Sequence, residues 1–202
     1  MVHPYKKDML PIVQNKLGLL FELAVLIEKI DLNAFSDIFV SSRISHYFEN
    51  GDPVFILGKS SNELLAILLN KEPNDVILND SYSPEYWVGY VLARASWEYN
   101  ISFKVLFEKC PPKELIDYYF PYHEMDITKT MELIKDKLGI KNRLKELRMQ
   151  KNLSQSELAI ISDVPIRNIR AYEQGTIDIS NAQASTLFSI AKALKCSIED
   201  LI

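Results

Sequence analysis

The sequence has few of the residues on which disulfide-bonded and metal-binding proteins depend. Its 202 residues include 2 Cys, 3 His and 6 Gly. Cys110 and Cys196 cannot form a disulfide framework, so we expect both to be small buried apolar residues in a reducing compartment. No His lies at metal-ligand spacing from another His or Cys, and we predict neither a metal site nor a cofactor.

Sequence features of an enzyme are scarce as well. Gly58-Lys59-Ser60 lacks the upstream glycine of a phosphate-binding loop, and Cys110 has no nearby group that would lower the pKa of its thiol. His123 with Glu124 and Asp126 is open to two interpretations, a weak metal or acid–base cluster and a solvated turn, and we favour the turn. We therefore predict no catalytic residues and no enzyme activity.

Long uncharged hydrophobic runs are missing too. The stretch Met1–Leu10 is polar and lacks the apolar core of a signal peptide. The most apolar run, Leu17–Ile30, contains Glu22, Glu28 and Lys29 and is too short to span a bilayer. We therefore expect a soluble cytoplasmic protein with no membrane partner.

Helical periodicity, by contrast, runs through the whole chain. Apolar residues recur every three or four positions and no strand pattern persists, which predicts an all-α fold. Asp31, Ser60 or Ser61, and Ser102 are expected to cap helices. Before residue 140 the predicted helices are Met9–Ile30, Leu32–Phe48, Ser61–Lys71, Pro84–Tyr99, Phe103–Lys109, Lys113–Phe120 and Asp126–Leu138. Pro53–Leu57 is predicted to be an extended link or an irregular turn, and Glu72–Tyr82 a polar loop.

The predicted helix after Ser83 is the most aromatic. Tyr86, Trp87, Tyr90 and Trp97 recur at helical spacing along it. Aromatic residues at this spacing most often pack in a core, but Tyr and Trp also suit a partner surface or a small-ligand pocket. We keep both interpretations for these four residues.

The strongest motif lies at residues 153–175. Ser154, followed by a Glu three residues later, has the spacing of a capping box. Ala159 is small enough to let a second helix approach closely, and Pro165 suits the opening of that helix. Gly175 suits its end. Two short helices joined by a tight turn, a helix-turn-helix, are predicted here.

These residues and their flanks resemble the Cro/phage-repressor family of helix-turn-helix domains, the XRE family. The resemblance covers about Lys141–Ile202 and implies a five-helix repressor-like domain at residues 140–202, after an N-terminal helical domain at residues 1–139. The residues that carry it are Leu144, Leu147, Arg148, Lys151–Gln155, Glu157–Ala159, Val164, Ile169, Tyr172, Glu173, Gly175, Leu187–Leu194 and Ser197–Leu201.

The resemblance also implies a binding mode. The helix near Ile166–Gln174 would lie in the major groove of double-stranded operator DNA. Arg167 is expected to contact guanine, whereas Ile166 and Ala171 are expected to touch at most thymine methyl groups. The whole expected DNA-binding set is Ser154, Gln155, Pro165, Ile166, Arg167, Asn168, Arg170, Ala171 and Gln174.

Other members of the motif have different expected roles. Asn168 and Arg170 are expected to reach phosphates, and Gln155 to hold a phosphate at a helix N-terminus. Arg148 and Glu173 match a family pair that forms an internal ion pair.

Charge is divided unevenly along the chain. The net charge is −4, but residues 141–202 carry 9 Lys/Arg and 7 Asp/Glu, and residues 1–140 carry 14 and 20. The loop Thr176–Ser180, often basic in the family, contains Asp178 and no cation, which weakens phosphate contact. A monomer should therefore bind DNA weakly, and we expect a homodimer that reads two half-sites.

A weaker resemblance covers parts of the front segment. His3-Pro4-Tyr5, Glu85–Tyr90 and Tyr118–Asp126 look similar to a poorly characterised bacterial family of helical domains that precede an XRE domain. We predict a bacterial DNA-binding transcriptional regulator, a repressor, whose front domain dimerises, senses a small ligand or binds a protein partner. The alternative is an antitoxin-like protein that neutralises a toxin-like partner and autoregulates its operon. A degenerate domain used only for protein contact is a further alternative.

Overall fold

The computed structural model describes residues 3–74, 76 and 83–201. Every regular element in this part of the chain is a helix, and the predicted all-α fold is confirmed. The chain packs into two compact units that divide between Gly139 and Ile140. Each unit has its own cluster of buried apolar residues.

The front unit, which ends at Gly139, has nine α-helices within its described residues. They are α1 Leu10–Glu22, α2 Leu32–Ser41, α3 Arg43–Glu49, α4 Ser61–Leu69, α5 Pro84–Tyr99, α6 Phe103–Lys109, α7 Pro112–Ile116, α8 Tyr119–Tyr122 and α9 Ile127–Leu138. A 3₁₀ turn, Lys7–Met9, precedes α1, and π-helical turns lie at Leu23–Ile27 and Val54–Gly58.

Polar side chains begin several of these helices as predicted. The Asp31 carboxylate accepts hydrogen bonds from the backbone N–H groups of Asn33 and Ala34 at 2.9 and 3.3 Å. Ser60, rather than Ser61, caps α4 in a reciprocal capping box, and Ser102 caps α6. These bonds satisfy backbone donors that have no partner inside the helix.

Helices α1 and α5 form the centre of the front unit. They approach closely because each has a glycine at the crossing, Gly18 on α1 and Gly89 on α5. A Cβ atom on Gly89 would lie 2.5 Å from the carbonyl oxygen of Leu17. The Tyr86 hydroxyl donates to Asn15 Oδ1 at 2.8 Å beside this crossing. Apolar side chains from both helices, with Phe residues from α2, α3 and α6, fill the core.

The four aromatic residues of α5 do not form an open surface. Tyr86, Trp87 and Trp97 are each at most 9% exposed, and only Tyr90 is half-buried. The Trp97 indole N–H donates to the carbonyl oxygen of Tyr5 at 2.9 Å, so the polar end of this ring is also used inside the unit. The core interpretation fits the three buried residues, which present little surface to a protein partner, and a small-ligand pocket at these residues stays a prediction.

Three predicted elements of the front unit differ in the structure. The predicted helix Leu32–Phe48 is two helices, because Ser42 is extended and its hydroxyl caps α3. The predicted link Pro53–Leu57 is largely a π-helical turn. The predicted helix Lys113–Phe120 breaks into α7 and α8, and Phe120 has extended backbone before Pro121, as the proline ring requires. Most of the predicted loop Glu72–Tyr82 lies outside the described residues.

One helical stretch is longer than its apolar run indicates. Lys7–Ile27 is helical over 21 residues and, by length and composition alone, is apolar enough to cross a membrane. This stretch begins ten residues before the predicted apolar run Leu17–Ile30, because 3₁₀ and π-helical turns extend α1 at both ends. In its most apolar window, 61% is buried inside the protein, and both core helices of soluble proteins and signal sequences near an N-terminus pass the same test.

The rear unit, which begins at Ile140, has four α-helices among its described residues. They are α10 Arg143–Gln150, α11 Gln155–Ser162, α12 Ile166–Gln174 and α13 Ala184–Leu194, with a 3₁₀ turn at Ile179–Asn181. Its core contains Leu144, Leu158, Val164, Ile169, Tyr172, Ile190, Ala191, Leu194 and Leu201. The predicted fifth helix is a turn in residues 198–201, closed by the bond from Leu201 N–H to the Ile198 carbonyl at 3.0 Å.

Candidate nucleic-acid interface

The turn between α11 and α12 follows from local sequence. Ser154 Oγ accepts from the Glu157 N–H at 3.1 Å, and Glu157 Oε2 accepts from the Ser154 N–H at 2.7 Å, which fixes the start of α11. Asp163 ends α11 in the left-handed region with φ of +54°. Val164 is buried in the turn, and Pro165 precedes the first residue of α12.

Helix α12 has one buried and one exposed face. Ile169, Tyr172 and Glu173 lie in the interior of the unit. Around the rest of the helix, Arg167, Arg170 and Gln174 are exposed, while Ile166, Asn168 and Ala171 are half-buried. The surface residues of the predicted DNA-binding set on α12 therefore share one face.

The buried carboxylate of Glu173 joins this helix to α10. Arg148 Nε donates to Glu173 Oε1 at 2.6 Å and Arg148 Nη2 donates to Oε2 at 2.9 Å, and the two side chains are 11% and 2% exposed. Arg148 Nη1 also donates to the carbonyl oxygen of Leu153 at 2.5 Å. Burial acts to raise the pKa of Glu173, but hydrogen bonds from Arg148 and Gln155 outweigh it and hold the pKa below its usual value.

Gln155 makes a contact that sequence reasoning missed. Its Nε2 atom donates to Glu173 Oε2 at 2.8 Å, so the first residue of α11 is tied to α12. The same amide nitrogen carries a second N–H, because a glutamine side chain has two donor hydrogens. The bond to the ion-paired Glu173 carboxylate orients the Gln155 side chain.

Asn142 is a second residue that sequence reasoning missed. Its Oδ1 accepts from the Lys145 N–H at 2.9 Å and caps α10. Its Nδ2 donates to the carbonyl oxygens of Tyr172 and Glu173 at 2.9 and 3.1 Å. An Asn directly before a helical pattern is a usual N-cap signal and could have identified it.

An open apolar groove lies where α11 meets α12. Its volume is about 430 Å³, and its lining includes Ile160, Pro165 and Ile166. Ile160 is 79% exposed, the largest exposed fraction among the apolar side chains of this helix pair. The apolar periodicity of the sequence did not predict that Ile160 would be exposed, because an isoleucine at this position could equally pack in the core.

The loop after α12 is ordered by its own side chains. Thr176 Oγ1 donates to the Ala171 carbonyl at 3.1 Å, and the Asp178 carboxylate accepts from the Ser180 N–H at 3.0 Å. Asp178 thereby starts the 3₁₀ turn at Ile179–Asn181. The acidic residue that interrupts the expected basic loop thus has a role in shaping it.

The remaining polar candidates lie in the front unit and make structural contacts. The His123 ring stacks on Tyr119 with centroids 4.0 Å apart, and its Nδ1 lies 2.8 Å from the Tyr119 carbonyl oxygen. Asp126 caps α9. Within the described ranges, no group of three or more His, Cys, Asp or Glu side chains is placed to hold a metal ion.

A comparison with models of protein families identifies the kind of domain that has this geometry. The family model described as Helix-turn-helix matches residues 144–201. Residues 144–201 are a helix-turn-helix domain of the XRE family. The helix-turn-helix domain spans well under half of the chain, begins inside α10 and ends at Leu201. It supports the assignment of the chain as a DNA-binding regulator of the XRE type.

Two further comparisons gave no match, neither among curated proteins nor among solved structures. Within the helix-turn-helix domain, α11 is the first helix of the motif and α12 is the second. In such domains the second helix enters the major groove with its N-terminal residues near base edges.

Proposed function

We propose that the chain is a sequence-specific transcriptional repressor of the cytoplasm. Residues 140–202 bind operator DNA as part of a homodimer and block access to the site. The observation that carries this proposal is the exposed face of α12, where Arg167, Arg170 and Gln174 lie opposite the buried Ile169 and Tyr172. A helix held this way can enter a major groove without any rearrangement of its own unit.

Arg167 is the main base-reading residue in this proposal. It is the second residue of α12, it is exposed, and its guanidinium can donate two parallel hydrogen bonds to guanine O6 and N7. Pro165, Ile166 and Ala171 flank it with apolar surface. Asn168, Arg170 and Gln174 lie farther along the same side and are assigned to phosphates or to the edge of the groove.

The start of α11 supplies the second part of the footprint. Ser154 and Gln155 lie at the positive end of this eight-residue helix, where backbone N–H groups favour a phosphate. Glu173 accepts one Nε2–H of Gln155, and the proposal assigns the second donor hydrogen of this amide to a phosphate oxygen. The Arg148–Glu173 pair is structural in this proposal and positions both helices.

The small net charge of the rear unit supports dimerisation in this proposal. With 9 Lys/Arg against 7 Asp/Glu, residues 141–202 attract phosphates only weakly. Two copies double the phosphate contacts and let one operator carry two half-sites. We assign dimerisation or partner binding to residues 1–139.

Two observations support a macromolecular role for the front unit over small-ligand sensing. Val54 and Phe120 are 58% and 70% exposed, the largest exposed fractions among the described large apolar side chains of the front unit. The pocket lined by Leu23, Asn62 and Val76 has a volume of about 10 Å³, room for a single water molecule.

An antitoxin-like role is the second candidate. The front unit combines an acidic balance, 14 Lys/Arg against 20 Asp/Glu in residues 1–140, with the exposed Phe120 ring. This combination suits a basic protein partner, with DNA binding then serving autoregulation. Co-purification of a partner at fixed stoichiometry, lost in Phe120→Ala, would favour this candidate over a simple repressor.

The test of the proposed function is selection of bound sites from random duplexes at fixed salt. We expect a short sequence that contains guanine and recurs as two inverted half-sites about one helical turn apart. Arg167→Ala should remove the guanine preference, whereas Lys192→Ala, an exposed cation on α13, should keep it. Binding without any sequence preference, or no binding, would contradict the proposal.

A further inference from the structure

Phe120 is a large apolar ring that the front unit leaves open to solvent. It is 70% exposed, yet ring contacts hold it in place, edge to face against Tyr119 with centroids 4.9 Å apart and against His123 at 4.6 Å. Tyr119 in turn contacts the buried Trp87 ring at 5.8 Å, and His123 stacks on Tyr119 and is bonded to its carbonyl oxygen. The exposed ring is therefore an ordered anchor, and a partner that covers it does not have to immobilise it first.

A carboxylate lies beside this anchor. The imidazole of His123 that contacts the Phe120 ring also places its Nε2 atom 3.7 Å from Glu124 Oε1, so Phe120 and Glu124 border the same side chain. The Glu124 side chain is 72% exposed, and residues 117–126 contain three acidic residues and no Lys or Arg. Among the described residues, no Lys or Arg side chain lies at ion-pair distance from Glu124, so its carboxylate is available to a cation from outside the chain.

An open aromatic ring beside such a carboxylate suits an arginine side chain. The planar guanidinium can stack on the face of the ring and donate two parallel hydrogen bonds to the carboxylate. A nucleic acid does not fit, because the three acidic residues repel phosphates. A wholly apolar partner does not fit either, because it would take the Glu124 carboxylate out of water without giving it a partner.

We propose that Phe120 and Glu124 form the docking site for an arginine of a protein partner. The guanidinium stacks on the Phe120 ring and pairs with the Glu124 carboxylate. The acidic balance of residues 1–140, 14 Lys/Arg against 20 Asp/Glu, attracts a basic partner from a longer distance. This inference rests on the partner binding that we assign to residues 1–139 and names the chemistry that the partner presents there. It does not depend on operator binding by the rear unit.

The test is selection of peptides from a random displayed library on the full chain, followed by titration of one selected peptide. We expect the selected peptides to share an arginine. A version of the peptide with citrulline at that position, which keeps the shape of arginine but not its charge, should bind at least about tenfold more weakly. A version with lysine should bind about threefold more weakly, because an ammonium group cannot pair bidentately with a carboxylate.

Variants of the full chain locate the site. Phe120→Ala and Phe120→Leu should both weaken binding of the selected peptide by about tenfold, because leucine keeps the apolar surface but has no ring face for the guanidinium. Glu124→Gln should weaken it by about fivefold. The matched controls are Phe188→Ala, which removes an exposed phenylalanine of the rear unit, and Glu108→Gln, which neutralises an exposed carboxylate of α6. Both controls should bind the peptide like the native protein.

Other outcomes overturn the proposal. Selected peptides without a shared arginine do so, as does arginine-dependent binding that is unchanged in Phe120→Ala and Glu124→Gln. Full binding by Phe120→Leu would show that the site uses apolar surface alone and not a ring face. If Phe120→Ala halves the mass of the native protein in solution, a second copy of the chain covers the ring and the proposal fails. Operator binding is measured separately, so its absence overturns the repressor alone, and absence of peptide binding overturns the docking site alone.

Discussion

Glu173 lies buried in the helix-turn-helix domain, on the second helix of the motif. Its carboxylate accepts from Arg148 on α10 and from Gln155 on α11, and its backbone carbonyl accepts from Asn142. Three helices therefore meet at one buried side chain of α12. Since both members of the ion pair are shielded from water, removal of either leaves a buried charge without its partner.

Glu173→Ala should therefore destabilise the domain by about 3–5 kcal/mol. The matched control is Glu146→Ala, which removes a half-buried carboxylate paired with Arg143 and Lys141 at the surface, where such pairs contribute at most about 1 kcal/mol. Amide hydrogen exchange in α11 and α12 measures the opening of this unit inside the full chain. Equal exchange rates in the two variants would show that Glu173 is dispensable for stability.

The same carboxylate predicts a dependence of stability on pH. Its pKa in the folded domain lies below the ordinary value of 4.5, because hydrogen bonds to its charged form outweigh burial. The stabilisation is therefore complete above the unfolded pKa and is lost as the pH falls through the folded pKa. We expect the stability difference between native protein and Glu173→Ala to shrink below about pH 4.5. A difference that stays constant down to unfolding would contradict this.

Arg167 and Arg170 should respond differently to truncation. Arg167→Ala should cost about 1–3 kcal/mol at one base pair of the operator and relax the preference there. Arg170→Ala should weaken binding to all sequences alike and lower the salt dependence. Titration of operator and mismatched duplexes at several salt concentrations measures both effects. A uniform loss in Arg167→Ala would assign this residue to phosphate only.

At the scale of helices, capping and turn residues predicted the helix bounds more reliably than apolar periodicity did. Ser154, Pro165 and Gly175 predicted the bounds of the helix-turn-helix because each satisfies a local backbone requirement. The break at Ser42 was missed because apolar periodicity continues across it, and only the hydroxyl cap of α3 distinguishes two helices from one. The turn in residues 198–201 was predicted as a helix because the resemblance implies a fifth helix there.

The crossing of α1 and α5 gives a test at this scale. Gly89→Ala adds a methyl group within 2.5 Å of the Leu17 carbonyl oxygen and 2.9 Å of the Gly18 Cα, both of which are backbone atoms. The helices must move apart, and we expect a loss of about 1–3 kcal/mol despite the better helix propensity of alanine. Gly58→Ala is the control, since its nearest neighbour would lie 3.8 Å away. Thermal unfolding of the two variants measures the difference, and equal transitions would contradict it.

For the molecule as a whole, sequence reasoning identified the face of α12 and, through the resemblance, the Arg148–Glu173 ion pair, but not the bonds that Gln155 and Asn142 make to α12. The position of Arg167 follows from helical spacing once the helix is located, and the resemblance located it. The bond from Gln155 to Glu173 and the groove at Ile160 depend on how α11 packs on α12, which spacing along one helix does not encode. The aromatic residues of α5 were ambiguous because core and surface helices share the same periodicity.

The last prediction concerns the number of copies of the chain that bind one operator. If the weakly charged rear unit binds only as a pair, an operator with one intact half-site should bind at least about a hundredfold more weakly than the complete operator, because the second contact becomes intramolecular. Inserting about 5 base pairs between half-sites, half a helical turn, should weaken binding as severely, since the second copy then faces the wrong side of the duplex. Titration of the three duplexes at fixed salt measures this. Equal affinity for all three would show that one copy of the chain, a 23.3 kDa protein, occupies its site alone.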